Sequence, residues 1–545
     1  VRFAESLFSR KGLLIAWVAL VVIQLPIREV TPPDEPRFAN QAQSMRSTGE
    51  WVVPYISVDI NVDKPPMLFW GAAIASLPFD RVTPTASRVP SAIASLIVLL
   101  LTVRLGRRLW GSDTIAYGGA LVALTGIEFF QKAQWCSCDM TMAAFSFMAI
   151  TLWGEASFDE PPIGGRGLSI ALGWAAIGFG ILSKGPVALF WTLFFVLAEA
   201  ISRKRFRPLL RIVWNPGIGL MLIIVGAWLF ALGQRAGWAF VYEVTIHQTV
   251  HRYVKAWNSV EPWWFYSYQM PSDLLPWTAF LPAAIAMVFR KRAAPDERDT
   301  IAARSLALFT LFGVAFFSGS SGKRGVYVME SFPTVSLLIA AAVIRVGLGG
   351  LGFLLMAAIG IAAGVLAPVA IASGAVRLSP ALIDAAGISG AVALVIAGLA
   401  VASGAALGYS FLKRGRRELA LASAVSGAIV FMFLAGTLGG AVWSRMQSAK
   451  PFCERVAAAV PRDALVAAEG TKFEQIMFYT LRPTIFVDSD EQCLDLLKTG
   501  RCRYAVITRE RYERVRRVSP VDGLPILAGG TINGGEFVLL GPREH

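Results

Sequence analysis

Residues 31–70 read TPPDEPRFANQAQSMRSTGEWVVPYISVDINVDKPPMLFW and hold five carboxylates, Asp34, Glu35, Glu50, Asp59 and Asp63, interleaved with Arg37, Arg46 and Lys64. Acids and cations mixed in this way can hold an anionic headgroup and set a base beside it. Further residues of the same kind follow: Asp139 in QWCSCDMTMAAF, Lys184 in GILSKGPVALF, His247, His251 and Arg252 in VYEVTIHQTVHRYV, and Lys323, Arg324 and Tyr327 in SGSSGKRGVYVMESFP. Singly, each has a structural reading. Asp34–Glu35 suits a solvated helix start, Asp139 an N-cap, and Lys64 and Lys184 cations reaching toward headgroups. His247 and His251, at i and i+4, would share one helical face and with Asp63 are the candidates for a metal site. Lys323 and Arg324 in a Gly-rich turn suit a phosphate.

The elements that must position these residues are membrane helices. The chain is 55% hydrophobic and 16% charged, against about a quarter charged in soluble proteins. A crossing needs about 20 apolar residues, and about thirteen runs near that length are expected between residues 12 and 444. The fold class is therefore a polytopic α-helical membrane protein. The net charge of +14 would suit nucleic acid in a soluble chain, but here the positives cluster between spans. They fall at Arg10–Lys11, Arg107–Arg108, Arg203–Lys204–Arg205–Arg207, Arg290–Lys291–Arg292 and Lys413–Arg414–Arg416–Arg417, as the positive-inside rule places them. No nucleic-acid partner is expected.

The first helix reads as uncleaved with a cytoplasmic start, because QLPIREVTPPDE follows it rather than a small-residue cleavage site. An odd number of spans then puts residues 445–545 outside. The segment PPMLFWGAAIASLPF, 65–79, is too short to cross and reads as an interfacial helix. Trp257, Trp263 and Trp264 suit an aromatic belt, and the Gly- and Ala-rich stretch 347–444 reads as packing helices.

Residues 1–444 thus form a membrane domain and 445–545 a soluble tail. In the tail ALVAAEG, TIFVDS, YAVITRE and EFVLLG read as strands, and KPFCERVAAAV, KFEQIMFYTL, EQCLDLLKTG and RERYERVRRV as helices, giving a small α/β domain. AGGTINGG near 528–535 reads as a hairpin turn. Cys493 and Cys502 flank a short connection and could form a disulfide. With this topology Asp34, Glu35, Arg37, Asp63, Lys64, Asp139, Lys184, Arg252, Lys323, Arg324 and Tyr327 all map to the outer face, as expected of a site that handles a membrane-bound phosphate.

The ordered blocks DEPRFANQAQSMRSTGEWVVP, DKPPMLFW, CDMTMAAF, GILSKGPVAL, HRYV with PWWFY, LLPW and SGKRGVYVMESFP resemble the GT-C glycosyltransferases that use lipid-linked sugars. They are most similar to the ArnT-type aminoarabinose transferases and, more distantly, to the protein O-mannosyltransferases. The resemblance implies a polyprenyl (undecaprenyl) phosphate sugar donor and inverting transfer to lipid A, another envelope glycan or a protein at the outer side of a bacterial inner membrane. It implies Asp34 and Asp139 as the catalytic acids. Arg37, Lys64, Arg252, Lys323, Arg324 and Tyr327 would surround the donor phosphate, supported by Glu35, Asp63 and Lys184. No cofactor is required, although the family leaves a divalent metal open. The sequence departs from the ArnT pattern at Asp63, where Glu is usual, at QTVHRY in place of E-H-I-Q-R-F, and at GKRGVY in place of G-K-L-P-T-Y. A protein hydroxyl as acceptor, or a flippase of lipid-linked sugars, are the alternatives. A flippase should show internal repeats and polar residues at mid-membrane.

Overall fold

The computed structural model describes residues 2–159, 165–256, 258–289, 297–373, 380–470, 473–518 and 525–542. Trp257 and the Arg290–Lys291–Arg292 cluster lie outside them. Seven described helices are long and apolar enough to cross a membrane, or nine if each of two sharply bent pairs makes one span. The chain is thus a multi-pass membrane protein, but by that measure the described residues do not reach the expected thirteen spans. Asp113–Leu124 has 12 residues and Val187–Arg203 has 17. The apolar run expected to cross over 113–131 stops at Thr125. There the Thr125 hydroxyl donates back to Leu121 O at 2.7 Å and accepts the Trp277 indole N–H at 2.9 Å. Gly126 is extended, and a separate helix, Ile127–Ala133, follows.

The helix Pro84–Trp110 sets the scale of the bundle. From Arg88 near its start to Arg108 near its end the rise is about 30 Å, one hydrocarbon thickness. At the Arg108 end the basic residues meet acids: Arg108 pairs with Asp159 and Glu199, and Arg203 with Glu199. At the Arg88 end lies the charged first loop. The two charge systems therefore sit a membrane's width apart.

That loop is built rather than loose. Pro36 opens the helix Glu35–Thr48, where a missing N–H costs nothing, and Gly49 closes it with φ +72°, a left-handed C-cap. A hairpin of β1 (Tyr55–Ile56) and β2 (Asp59–Ile60) follows. Next comes the helix Met67–Ala75, whose nine residues span only about 13 Å and which cannot cross. Its Phe69 packs against Phe38 with ring centroids 5.7 Å apart. The Glu35 and Arg88 side chains, both 0% exposed, pin the loop to the bundle: Arg88 Nε and Nη2 donate to the two Glu35 oxygens at 2.9 and 3.0 Å.

The last apolar helix stretch ends at Gln447. Beyond it β3 (Val466–Glu469), β4 (Thr484–Val487), β5 (Tyr504–Thr508), β6 (Ile526–Ile532) and β7 (Gly535–Leu540) form one sheet in the order β4-β3-β5-β7-β6. β3 pairs in parallel with β4 and β5; the β6–β7 hairpin adds antiparallel at the β5 edge and turns at Asn533–Gly534. The helices Lys450–Ala459, Phe473–Thr480, Asp490–Lys498 and Arg509–Val518 alternate with the strands, as expected for an α/β tail. Its core is continuous with the first loop: Phe452, Ile476 and Phe478 share one apolar cluster with Phe38, Met45 and Phe69.

The possible Cys493–Cys502 disulfide is not formed. Both thiols are free and buried in one apolar cluster beneath the sheet. Burial lifts Cys493 to about 11 and Cys453 to about 12, so thiolate, the reactive form, is scarce. Native protein should therefore resist iodoacetamide, and all five cysteines should label only after denaturation without reductant. Whole-protein mass spectrometry reads this directly. A pair that labels only after reduction would restore the disulfide.

Candidate active site

A chain of ion pairs runs across the Arg88 end of the bundle. Asp34, just before the helix Glu35–Thr48, accepts from Arg37 at 2.7 Å and from Arg324 at 2.8 Å. Arg37 reaches on to Asp63 at 3.1 Å; Asp63 also meets Lys64 at 2.9 Å and Arg252 at 3.5 Å. Burial pushes the Asp34 carboxyl up, but Arg324 and Arg37 outweigh it and hold the group below its ordinary range. Asp63 is taken to about 2, burial being overcome by Lys64, Arg37 and Arg252. For Arg324 burial works against the charge, yet Asp34 leaves the guanidinium pKa raised. Both carboxylates are ionised at neutral pH.

A second group sits beside the first. Asp139 lies in the first turn of Cys138–Phe158, after a 103° bend from Ile127–Ala133. Ser137 occupies the N-cap position and donates to Asp139 at 3.2 Å, so Asp139 is not the cap. Its other oxygen pairs with Lys184, whose ammonium lies 4.5 Å from the centre of the Tyr327 ring. Arg324 links the groups, since its charge acts on both Asp34 and Asp139. Gly325 lets this loop close on the bundle: a Cβ there would collide with the Asp273 carboxylate, and Tyr266 OH donates to Arg324 O at 3.2 Å.

Other candidates lie elsewhere. Glu35 is buried against Arg88 and faces the bundle rather than the ion-pair chain. Lys323, expected at the phosphate, is 3% exposed and its ammonium donates to the main-chain oxygens of Glu261 and Ser320. It ties the 320–323 turn to the neighbouring loop, because burying that ammonium requires acceptors. Lys323→Met is therefore expected to lower the thermal midpoint in detergent, a hydrogen bond from a charged donor being worth about 1.5–3 kcal/mol. A variant that melts like wild type would contradict this tie.

The metal candidates do not assemble a donor set. His247 Nδ1 bonds to Glu243 at 2.8 Å, and His251 stacks edge-on to it with centroids 5.5 Å apart. Asp63 is engaged by three cations. Among the described residues no three His, Cys, Asp or Glu side chains group as metal ligands. Trp263 and Trp264 are exposed, 72% and 52%, as an aromatic belt requires.

Compared with known proteins, the whole architecture matches the crystal structure of ArnT from Cupriavidus metallidurans bound to undecaprenyl phosphate. The TM-score is 0.80, with 97% of this chain and 96% of that one covered at 20% identity. This chain has the ArnT fold. In sequence it is 28% identical over 348 residues to the undecaprenyl phosphate-alpha-4-amino-4-deoxy-L-arabinose arabinosyl transferase 1 of Pseudomonas fluorescens strain Pf0-1, which takes in 61% of this chain and 57% of the relative. It is 27% identical over 347 residues to the corresponding transferase of Pseudomonas aeruginosa strain PAO1, with 61% and 59% covered. The matched stretch thus spans somewhat over half the length of these curated relatives. A family model described as dolichyl-phosphate-mannose-protein mannosyltransferase matches residues 63–230. The helical bundle and the α/β tail are both part of the structural match, which covers 97% of the chain.

Three residues were not anticipated from sequence. Arg88 lies in an otherwise apolar run, where an ionisable side chain already signals a site. Glu330, 1% exposed with both oxygens lacking a hydrogen-bond partner, is electrostatically coupled to Lys184 and Asp139; a carboxylate inside YVMESFP carried the same signal. Glu474, from the α/β tail, feels the charges of Arg37, Asp34 and Asp63. Nothing in the spacing of KFEQIMFYTL pointed to it.

Proposed function

We propose that this chain is an integral-membrane glycosyltransferase that moves a sugar, with inversion, from a polyprenyl phosphate to lipid A or another envelope acceptor at the outer face of a bacterial inner membrane. The observation that carries the reading is the charge count of the ion-pair chain. Four cations, Arg37, Lys64, Arg252 and Arg324, face two carboxylates, Asp34 and Asp63, and 4 − 2 leaves +2.

A polyprenyl phosphate sugar is a phosphodiester with one negative charge. As the bond from C1 to oxygen breaks, the departing phosphate gains charge toward about −2. A preformed +2 site therefore matches the departing phosphate better than the bound donor, and such differential binding accelerates the step. The sugar left behind is oxocarbenium-like. Asp34, ionised and held between two guanidiniums, stabilises that positive charge and fixes the guanidiniums over the phosphate. Lys184 and Asp139 extend the polar wall, with Tyr327 beneath the ammonium. The N-terminus lies in the cytoplasm and the α/β domain in the periplasm, in keeping with the basic residues gathered around Arg108, a bilayer's width from the site. The names of the Pseudomonas relatives support aminoarabinose as the sugar; the mannosyltransferase family model supports a protein hydroxyl as the second acceptor class.

The test compares intact masses of envelope lipids, glycans and proteins from cells with and without the chain, and with Asp34→Asn. A sugar-sized mass on lipid A that requires Asp34 supports the reading, and the same mass on a protein moves the acceptor. No Asp34-dependent mass, with donor lipid accumulating on the inner face, would replace the transferase with a flippase.

A further inference from the structure

The outer domain does more than cover the bundle. Its helix Phe473–Thr480 lies against the helix Glu35–Thr48 that carries Arg37. Asn40, one turn beyond Arg37, donates to Glu474 O at 2.7 Å, and Gln475 donates to Val30 O at 3.1 Å. Tyr479 OH donates to Glu29 at 2.8 Å and accepts from Val30 N at 3.0 Å. These contacts bracket the segment holding Asp34 and Glu35. They set Glu474, half-buried in the first turn of its helix, beside the ion-pair chain, where Arg37, Asp34 and Asp63 are the charged groups that act on it.

Of the other carboxylates of the site, Glu330, without an ion pair among the described residues, is 1% exposed and closed to an acceptor, while Asp34 is committed to Arg37 and Arg324, Asp63 to three cations, Asp139 to Lys184 and Glu35 to Arg88. A carboxylate held in this way is a poor proton acceptor. Glu474 is not so held: among the described residues no ion pair engages it. Burial lifts its carboxyl to about 7, opposed by Arg37 and assisted by Asp34 and Asp63, the range in which a base works best at neutral pH.

Building on the glycosyltransferase reading, we propose that Glu474 completes the active site from the outer domain as the group that takes the acceptor's proton. The acceptor oxygen attacks C1 of the sugar as the bond from C1 to the phosphate oxygen breaks. The electron pair leaves with the polyprenyl phosphate, and the acceptor's proton passes to the Glu474 carboxylate and then to water. The acceptor is accordingly an oxygen that still bears a proton, a hydroxyl or a singly ionised phosphate. Activity should rise with pH through about 7, because the base must be unprotonated.

The experiment uses membranes carrying the full-length chain, with their own lipids, glycans and proteins as acceptors, and undecaprenyl phosphate-4-amino-4-deoxy-L-arabinose labelled in the sugar. Transfer is followed as a function of pH for wild type, Glu474→Gln and Glu474→Asp, and binding of undecaprenyl phosphate is measured separately on the purified proteins. Glu474→Gln should lose about 10²-fold or more in turnover, lose the rise through neutral pH and bind undecaprenyl phosphate as wild type does. Glu474→Asp should recover part of the rate with the pH limb intact. Wild-type turnover and pH profile in Glu474→Gln would overturn the assignment. So would a loss of rate matched by loss of undecaprenyl phosphate binding, which marks a structural role. An inactive wild type removes the transferase reading itself, and Glu474's role with it; an active wild type with an indifferent Glu474→Gln removes only the latter.

Discussion

Asp34→Asn is expected to lower turnover by about 10²–10³-fold, the range found when one preorganised charge-stabilising group is removed from an active site. The substitution keeps the shape and removes the charge. In the native site that charge meets Arg37 at 2.7 Å and Arg324 at 2.8 Å, so two effects combine. The guanidiniums lose the anion that orients them, and in the proposed mechanism the cationic sugar loses a carboxylate that offsets its charge. Undecaprenyl phosphate should bind at least as well as before, because the local balance moves from +2 to +3. The signature is thus a fall in kcat with unchanged or tighter product binding. Rates measured at saturating donor, together with undecaprenyl phosphate titration, separate the two. A variant that turns over normally would remove Asp34 from the mechanism, and one that fails to bind would make it a folding residue. The carboxyl lies below its ordinary range in the native protein, so the loss should persist across the neutral pH range instead of narrowing toward acid.

The ion-pair chain was visible in sequence as a list of charged blocks, because charges are scarce in an apolar chain and each stands out. Their pairing was not visible. Asp63 and Arg252 are 189 residues apart and Asp34 and Arg324 are 290 apart, and nothing local couples them; helix packing does. Local rules did better where local physics decides. The tail's strands follow from short apolar runs between turn residues, and the helix at 67–75 follows from Pro66 and an apolar stretch too short to cross. They say less where a tertiary contact breaks an apolar run. Just after Thr125 the hydrophobic helix breaks: Ile127 N donates to Leu275 O at 3.1 Å, and the Trp277 indole donates to the Thr125 hydroxyl. The Lys323 ammonium, bonded to Glu261 O and Ser320 O, is set by contacts just as hard to read locally. A lysine beside an arginine in a glycine-rich turn carries no mark that tells which cation faces the ligand and which folds back onto carbonyls.

Glu35 and Asp34 are neighbours in sequence with opposite expected signatures. Glu35 accepts from Arg88 twice, from Cys136 N at 3.1 Å and from Thr31 N at 3.3 Å, all in the buried interior. Arg88 in turn donates to the carbonyls of Leu25, Arg28 and Glu29 at 2.9, 2.6 and 2.9 Å, closing the exposed end of the first helical segment. Removing one member strands the other charge, which costs about 3–5 kcal/mol in a buried pair. Glu35→Gln and Arg88→Met should each lower the thermal midpoint in detergent and the yield of monodisperse protein, whereas Asp34→Asn should leave both nearly unchanged. The double variant should be less damaged than the sum of the singles, since neither charge is then stranded. The pH dependence has a fixed sign. Burial raises the Glu35 carboxyl, Arg88 and Arg28 outweigh it, and the folded value is about 2 against an ordinary 4.5. A depressed carboxyl stabilises the fold above its ordinary value, and that stability is lost as pH falls from about 4.5 toward 2. Wild type should therefore lose thermal stability in that window, with a shallower slope in Glu35→Gln, which has no proton to take up there. If Glu35→Gln melted like wild type but lost turnover, the pair would belong to the chemistry and not to the anchoring of the loop that carries it.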